Sequence, residues 1–138
     1  MPPLEPDEAR RLFSSARVAR LATVAGGTPH VVPFTFAVDG DVVYTAVDAK
    51  PKSTTNLKRL SNIRDNPRVA VLADHYEDDW STLWWVRADG TATVVSDAEA
   101  MERPVRMLAE RYPQYVASPP GGPLIVIRVH RWTGWSAR

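Results

Sequence analysis

A basic segment from Lys50 to Arg68 is the part of the sequence whose residue types and spacing best suit chemistry. It holds six Lys and Arg residues and one acid, Asp65, for a local charge of +5. Ser53 and the two threonines after it stand where a helix is predicted to begin. Unpaired N–H groups and the positive dipole end make a helix N-terminus suited to binding an anion such as phosphate. A plain solvated helix face is the alternative, and it stays open.

The predicted contacts to this anion lie on both sides of the helix start. Lys50 and Lys52 precede the helix, and Ser53 is its predicted N-cap. Lys58 and Arg59 follow one to two turns later, where they can fold back and add charge-assisted hydrogen bonds.

Two strand segments before the basic segment complete a candidate ligand site. Residues 30–34 and 44–46 lie within predicted strands. Strand backbones at the edge of a cavity offer N–H and C=O groups to a planar heterocycle, while apolar side chains contact its face. A phosphate at the helix and a flat ring along the strands describe a flavin-like ligand.

Short elements separated by turns must position these residues. Three helices are predicted, over 5–15, from Ser53 to about residue 65, and from a Ser96–Glu99 capping box to about Arg111. The predicted strands cover 19–24, 30–38, 41–46, 68–73, 83–87, 91–95 and 124–129, with hairpin turns at Gly26-Gly27, Asp39-Gly40 and Asp89-Gly90. Six or seven mostly antiparallel strands with short peripheral helices favour a mainly β (α+β) closed or split barrel, one domain over residues 1–138.

Composition excludes several classes of function. The 138 residues carry a net charge of +1, which argues against a nucleic-acid binder such as an OB-like barrel. There is no Cys, so disulfides and thiolate chemistry are excluded. The three His residues show no metal-binding spacing, and no hydrolase elbow, P-loop or dinucleotide fingerprint occurs. Without an apolar run of about 20 residues or a signal peptide, we expect no membrane partner and a cytoplasmic location.

Four segments resemble those of the pyridoxamine 5′-phosphate oxidase-like split β-barrel flavoproteins. The resemblance is closest to the actinobacterial branch that uses the deazaflavin coenzyme F420, and it extends from Arg17 to Trp135. The matching segments are Ala19-Arg20-Leu21-Ala22-Thr23-Val24, Gly27-x-Pro29-His30, Tyr44-Thr45, and Lys58-Arg59-x-x-Asn62-Ile63-x-x-Asn66-Pro67-Arg68-Val69.

The resemblance implies a six- to seven-stranded antiparallel split β-barrel that forms a homodimer, with two cofactor sites at the subunit interface. It implies that one set of backbone segments faces the ring, namely Val32, Pro33, Phe34, Tyr44, Thr45 and Ala46. It assigns the phosphate to Lys52, Ser53, Lys58 and Arg59, and Lys50 and Arg64 are candidates for contacts to the polyglutamyl tail of the deazaflavin. The adjacent Trp84 and Trp85 fit the dimer, because neighbours in a strand point to opposite faces and need cover on both.

The implied activity is hydride transfer from reduced F420 to a small organic substrate. An FMN-dependent oxidoreductase on the same barrel and a non-catalytic flavin- or haem-binding module are the alternatives. We expect no metal and no indispensable catalytic side chain, because the cofactor supplies this chemistry.

Overall fold

The structure, a computed structural model, describes residues 3–47 and 54–137, the side chains of 54–57 excepted. Its helices are α1 (Pro6–Ser15), α2 (Thr54–Asp65), α3 (Ala98–Arg111) and α4 (Gln114–Ala117), with a 3-10 turn at Trp80–Thr82. Its strands are β1 (Ala19–Ala25), β2 (Thr28–Phe34), β3 (Ala37–Asp39), β4 (Val42–Ala46), β5 (Arg68–His75), β6 (Trp84–Val95) and β7 (Leu124–Ser136). Among the described residues, no helix is long and apolar enough to cross a membrane.

All seven strands form one antiparallel sheet in the order β2-β1-β5-β6-β7-β4-β3. The two strands at opposite ends of this order, β2 and β3, are joined by Thr35 and Phe36 alone. The sheet must therefore curl until its ends meet at this link. The result is the predicted split barrel with short peripheral helices.

The link corrects one sequence prediction, a single strand over 30–38. The chain instead leaves β2 at one end of the sheet order and enters β3 at the other. Phe36 lies fully buried at this corner, and its ring centroid is 4.7 Å from that of Phe13 and 5.5 Å from that of Phe34. Burial of this aromatic cluster accounts for the bend, which strand propensity alone does not predict.

The predicted hairpin at Asp89-Gly90 is wrong. Residues 84–95 form one continuous strand, and Gly90 pairs with both Val69 and Val129. A Cβ on Gly90 would lie 2.5 Å from the backbone oxygen of Arg128, so glycine serves a close approach of two strands here. The turns with positive φ are Gly26-Gly27 and Gly40, both as predicted.

Two further boundaries differ from the predictions. The last strand does not end at residue 129 but runs to Ser136, which adds the segment with Trp132 and Trp135 to the sheet. The N-cap of α3 is Asp97 rather than Ser96, because the Asp97 carboxylate accepts a hydrogen bond from the Ala100 N–H at 3.2 Å.

Helix α2 is fixed to the barrel by its apolar face and by one buried polar contact. Leu60 and Ile63 join the main core. The Asn62 side chain, also buried, donates a hydrogen bond to the Thr23 hydroxyl on β1 at 3.2 Å. Because the buried amide would lose this partner if α2 rotated, the contact helps to fix which residues of α2 face the strands.

Candidate functional site

A cavity of about 300 Å³ opens where β2 and β4 end beside α2 and α4. The residues that line it are Val18, Pro33, Phe34, Thr35, Thr45, Ala46, Arg59 and Tyr115. Apolar side chains, hydroxyls and one cation thus surround a single space. This is the mixture expected of a small-molecule site.

The cavity brings together five of the residues predicted from the sequence. Pro33 and Phe34 come from β2, Thr45 and Ala46 from β4, and Arg59 from α2. They are neighbours because the curled sheet places the end of β2 near β4, although many strands separate the two in the sheet order.

Three other predicted residues lie outside this lining. Val32 is half-buried on β2, and it packs against the main core. Tyr44 packs against a second core cluster built around Leu108 and Leu124. Lys58 is exposed. The predicted residues Lys50, Lys52 and Ser53 lie outside the described part of the chain.

Arg59 carries the charge of the cavity lining. Burial lowers the pKa of its guanidinium from the usual value, because the charged form loses hydration. Its Nε atom is buried and has no hydrogen-bond partner among the described residues. Arginine stays charged at neutral pH despite such a shift, so the lining of the cavity carries one cation. An anionic group in the cavity would supply its counter-charge, and the site therefore fits a phosphate-bearing ligand.

Sequence reasoning missed Val18, Thr35 and Tyr115. Tyr115 lies on α4, inside a Pro-rich segment that carries no helical periodicity and lies outside the three helices predicted from the sequence. The Tyr115 ring packs edge-on against Tyr112, with centroids 5.9 Å apart. Tyr112 is itself fixed, since its hydroxyl accepts from the Phe36 N–H at 3.1 Å and donates to the Arg17 backbone oxygen at 2.9 Å.

The hydroxyls of Thr35 and Tyr115 form a pair on the cavity wall, with their oxygens 2.9 Å apart. Two hydroxyls bring two protons, and the bond between them uses one. Whichever residue donates, one O–H proton remains for a further acceptor. The wall can thus donate one hydrogen bond to a ligand oxygen, in addition to those of Arg59.

Other chemistry-bearing residues lie away from this wall. His30 is half-buried on β2 opposite Thr23, and it does not line the cavity. Among the described residues, no group of three or more His, Cys, Asp or Glu side chains could hold a metal ion.

Trp84 and Trp85 are both half-buried in the isolated chain. Trp84 packs against the main core. Trp85 lies on the other face of β6, and it pairs directly with Trp135 on β7.

Comparison with solved structures finds the same fold in several bacterial proteins. A conserved hypothetical protein from Mycobacterium tuberculosis is 26% identical with a TM-score of 0.78, covering 98% of this chain and 86% of its own. An FAD-binding protein from Mesorhizobium loti is 22% identical with a TM-score of 0.76, covering 96% and 95%. The FAD-binding protein from Mycobacterium smegmatis is 21% identical with a TM-score of 0.69, covering 98% and 97%. No curated protein matches the sequence significantly.

Fold and cavity together define a split-barrel protein with a candidate small-molecule site at the barrel corner. The family model described as pyridoxamine 5′-phosphate oxidase matches residues 5–136, almost the whole chain. The chain belongs to this family, as the resemblance of its segments indicated.

Proposed function

We propose that the protein is an oxidoreductase that binds a phosphate-bearing flavin-type cofactor in the cavity at Arg59. Coenzyme F420 is the first candidate for this cofactor. The observation that carries the proposal is the half-buried Arg59 guanidinium with its unpartnered Nε. A buried cation without a counter-charge costs stability, and an anionic ligand would remove that cost. The family membership supports a cofactor of this kind.

The ring would lie along the ends of β2 and β4. Strand β2 is an edge of the described sheet and pairs with β1 alone, so one side of its backbone has no ladder partner. Pro33 and Phe34, at the end of this edge strand, border the cavity. Apolar contacts from Val18 and Ala46 suit the faces of a planar ring, and the Thr35–Tyr115 pair suits one of its oxygens.

The cavity in one chain is small for a whole cofactor. Its 300 Å³ lie at the lower end of ligand pockets, which range over about 300–1,000 Å³. We therefore propose that a second copy of the chain completes the site in a homodimer. Apolar side chains on the outer face of the barrel support this partner, namely Val24, Val31 and Leu72, whose exposed fractions are 37%, 65% and 36%.

When bound, a reduced deazaflavin supplies a hydride to an acceptor. The chain's own residues bind and orient the cofactor and exclude water from its ring. Among the described residues, the cavity lining holds no carboxylate or histidine, and Arg59 and Tyr115 are its ionisable side chains.

FMN is the second candidate cofactor, because phosphate and ring contacts would serve both. Two similar structures are described as FAD-binding proteins, which supports an ordinary flavin as the alternative to a deazaflavin. A module that binds a flavin or haem without catalysis is the third candidate.

The experiment that separates these candidates is the absorbance spectrum of the purified protein, followed by titration with F420 and with FMN. We expect saturable binding of about one F420 per chain and oxidation of the bound reduced form by an enone or quinone. Tighter binding of FMN would select the alternative cofactor. Binding without turnover of any acceptor would favour the non-catalytic module, and no binding would reject the cofactor site.

The dimer is tested separately by sedimentation at micromolar concentration. We expect about twice the chain mass of 15.3 kDa. Stable interfaces that complete a site bury on the order of 2,000 Å² or more, so dissociation should require much lower concentrations. A 15.3 kDa monomer that still binds cofactor would contradict the shared site.

A further inference from the structure

A second concave site lies on the outer surface of β5, β6 and β7. Its volume is about 490 Å³, and its lining is Arg68, Val69, Asp89, Gly90, Thr91 and His130. None of these residues lines the cavity at Arg59. The two sites are therefore separate.

Strand register places two arginines on either side of a threonine; Arg68 and Thr91 line the site, and Arg128 lies beside it on the next strand. Arg68 pairs directly with Thr91, and Thr91 pairs directly with Arg128 on the next strand. Directly paired residues share one face of a sheet. Val69, Ala92 and Ile127, which adjoin Arg68, Thr91 and Arg128 in sequence, are buried. Because successive side chains of a strand point to opposite faces, the two arginines and the threonine lie on the outer face of the sheet. The two arginine backbones stand about 10 Å apart, which is two strand spacings.

A β-bulge adds a histidine to the same place. Gly90 pairs with Val129 and Asp89 pairs with Arg131, which leaves His130 as the extra residue on β7. Bulges re-aim side chains, and they occur often beside functional sites. Here the bulge brings the His130 Nε2 atom to 2.7 Å from the Thr91 hydroxyl oxygen.

The positive charges of Arg68 and Arg128 are not balanced by acidic residues nearby. The ion pairs among the described residues involve neither Arg68 nor Arg128. The one acid in the lining, Asp89, is already paired with Arg87, whose Nε lies 3.2 Å from the carboxylate. The whole protein has a net charge of only +1, so this local excess of positive charge does not follow from a generally basic composition.

We propose that Arg68, Thr91, Arg128 and His130 form a second ligand site, for an oxyanion with more than one negative charge. An arginine side chain is longer than one strand spacing, so both guanidinium groups can reach an oxyanion held over Thr91. Guanidinium groups recognise carboxylate and phosphate oxygens with paired donors. The Thr91 hydroxyl and the His130 ring add further hydrogen-bond donors between the two arginines. The class of ligand is a phosphate or a polycarboxylate.

The test is titration of the full chain with inorganic phosphate and, separately, with a triglutamate peptide at low ionic strength. Binding is followed by amide NMR shifts and by calorimetry. The test variant is the double substitution Arg68→Gln with Arg128→Gln. The control is Arg11→Gln with Arg106→Gln, two exposed arginines on α1 and α3 whose removal changes the net charge equally. Thermal unfolding confirms that both variants fold.

We expect the amide shifts of the wild-type chain to centre on residues 68, 91, 128 and 130. Affinity should fall at least tenfold in the test variant, and it should stay within about twofold in the control, because two charge-assisted contacts are lost only in the former. Tighter binding of phosphate or of the peptide identifies the source of the oxyanion, and either supports the site. Equal losses in both variants, or no binding of either probe at millimolar concentration, would overturn it.

Discussion

Replacing Arg59 by methionine should move stability and ligand affinity in opposite directions. Methionine retains a long flexible apolar side chain, while the substitution removes the half-buried charge and the unpartnered Nε. An unsatisfied buried donor costs about 1–3 kcal/mol. We therefore expect the ligand-free variant to gain about 1 kcal/mol, which corresponds to a rise of about 3 °C in Tm for a domain of this size.

The same substitution should weaken cofactor binding about ten- to a hundredfold, because a hydrogen bond to a charged group contributes about 1.5–3 kcal/mol. The assays are thermal unfolding without ligand and fluorescence titration with F420 or FMN. Arg106→Met is the matched control, since Arg106 is exposed on α3 and should change neither quantity much. A variant that loses both stability and affinity would show that Arg59 is structural, and unchanged affinity would refute the anion site.

Three further predictions concern other positions. His30→Ala and Tyr44→Phe should each slow single-turnover oxidation of bound reduced cofactor by much less than the ~10²–10⁴-fold of a lost general acid; a collapse in His30→Ala with cofactor still bound would identify an acid catalyst. Tyr115→Phe and Thr35→Val should each weaken cofactor binding about fivefold, equivalent to one hydrogen bond of about 1 kcal/mol, and titration in which neither changes would remove the hydroxyl pair from the site. Gly90→Ala should cost about 1–3 kcal/mol in denaturant unfolding because its Cβ meets the backbone of β7, and full stability would contradict that close approach.

The sequence predicted the fold wherever local patterns carried the signal. Strand alternation and the glycine turns at residues 26–27 and 40 indicated an antiparallel barrel, and the structure confirms both turns. The Asp89-Gly90 hairpin was wrong because the same dipeptide serves a turn in one context and a close strand contact in another. What decides between them is the position of the β7 backbone, which lies some 40 residues further along the chain.

The candidate site was predictable in part for a similar reason. Residue type and spacing identified the strand ends and Arg59, since a basic residue within a predicted helix is a local feature. Tyr115 could not be found this way, because a long separation in sequence divides it from Thr35 and only the fold of α3 and α4 brings them together. The division between Arg59, which lines the cavity, and Lys58, which is exposed, likewise depends on how α2 is rotated against β1.

The most direct measurement of the central claim compares one ring with and without its phosphate in the wild-type chain and in Arg59→Gln. The pairs are FMN against riboflavin, and F420 against its phosphate-free deazaflavin chromophore. If Arg59 holds the phosphate, the wild-type chain should prefer the phosphate-bearing form by at least about tenfold, and the preference should fall to within about threefold in the variant. A preference that survives the substitution, or a wild-type chain that binds none of the four compounds, would contradict the account.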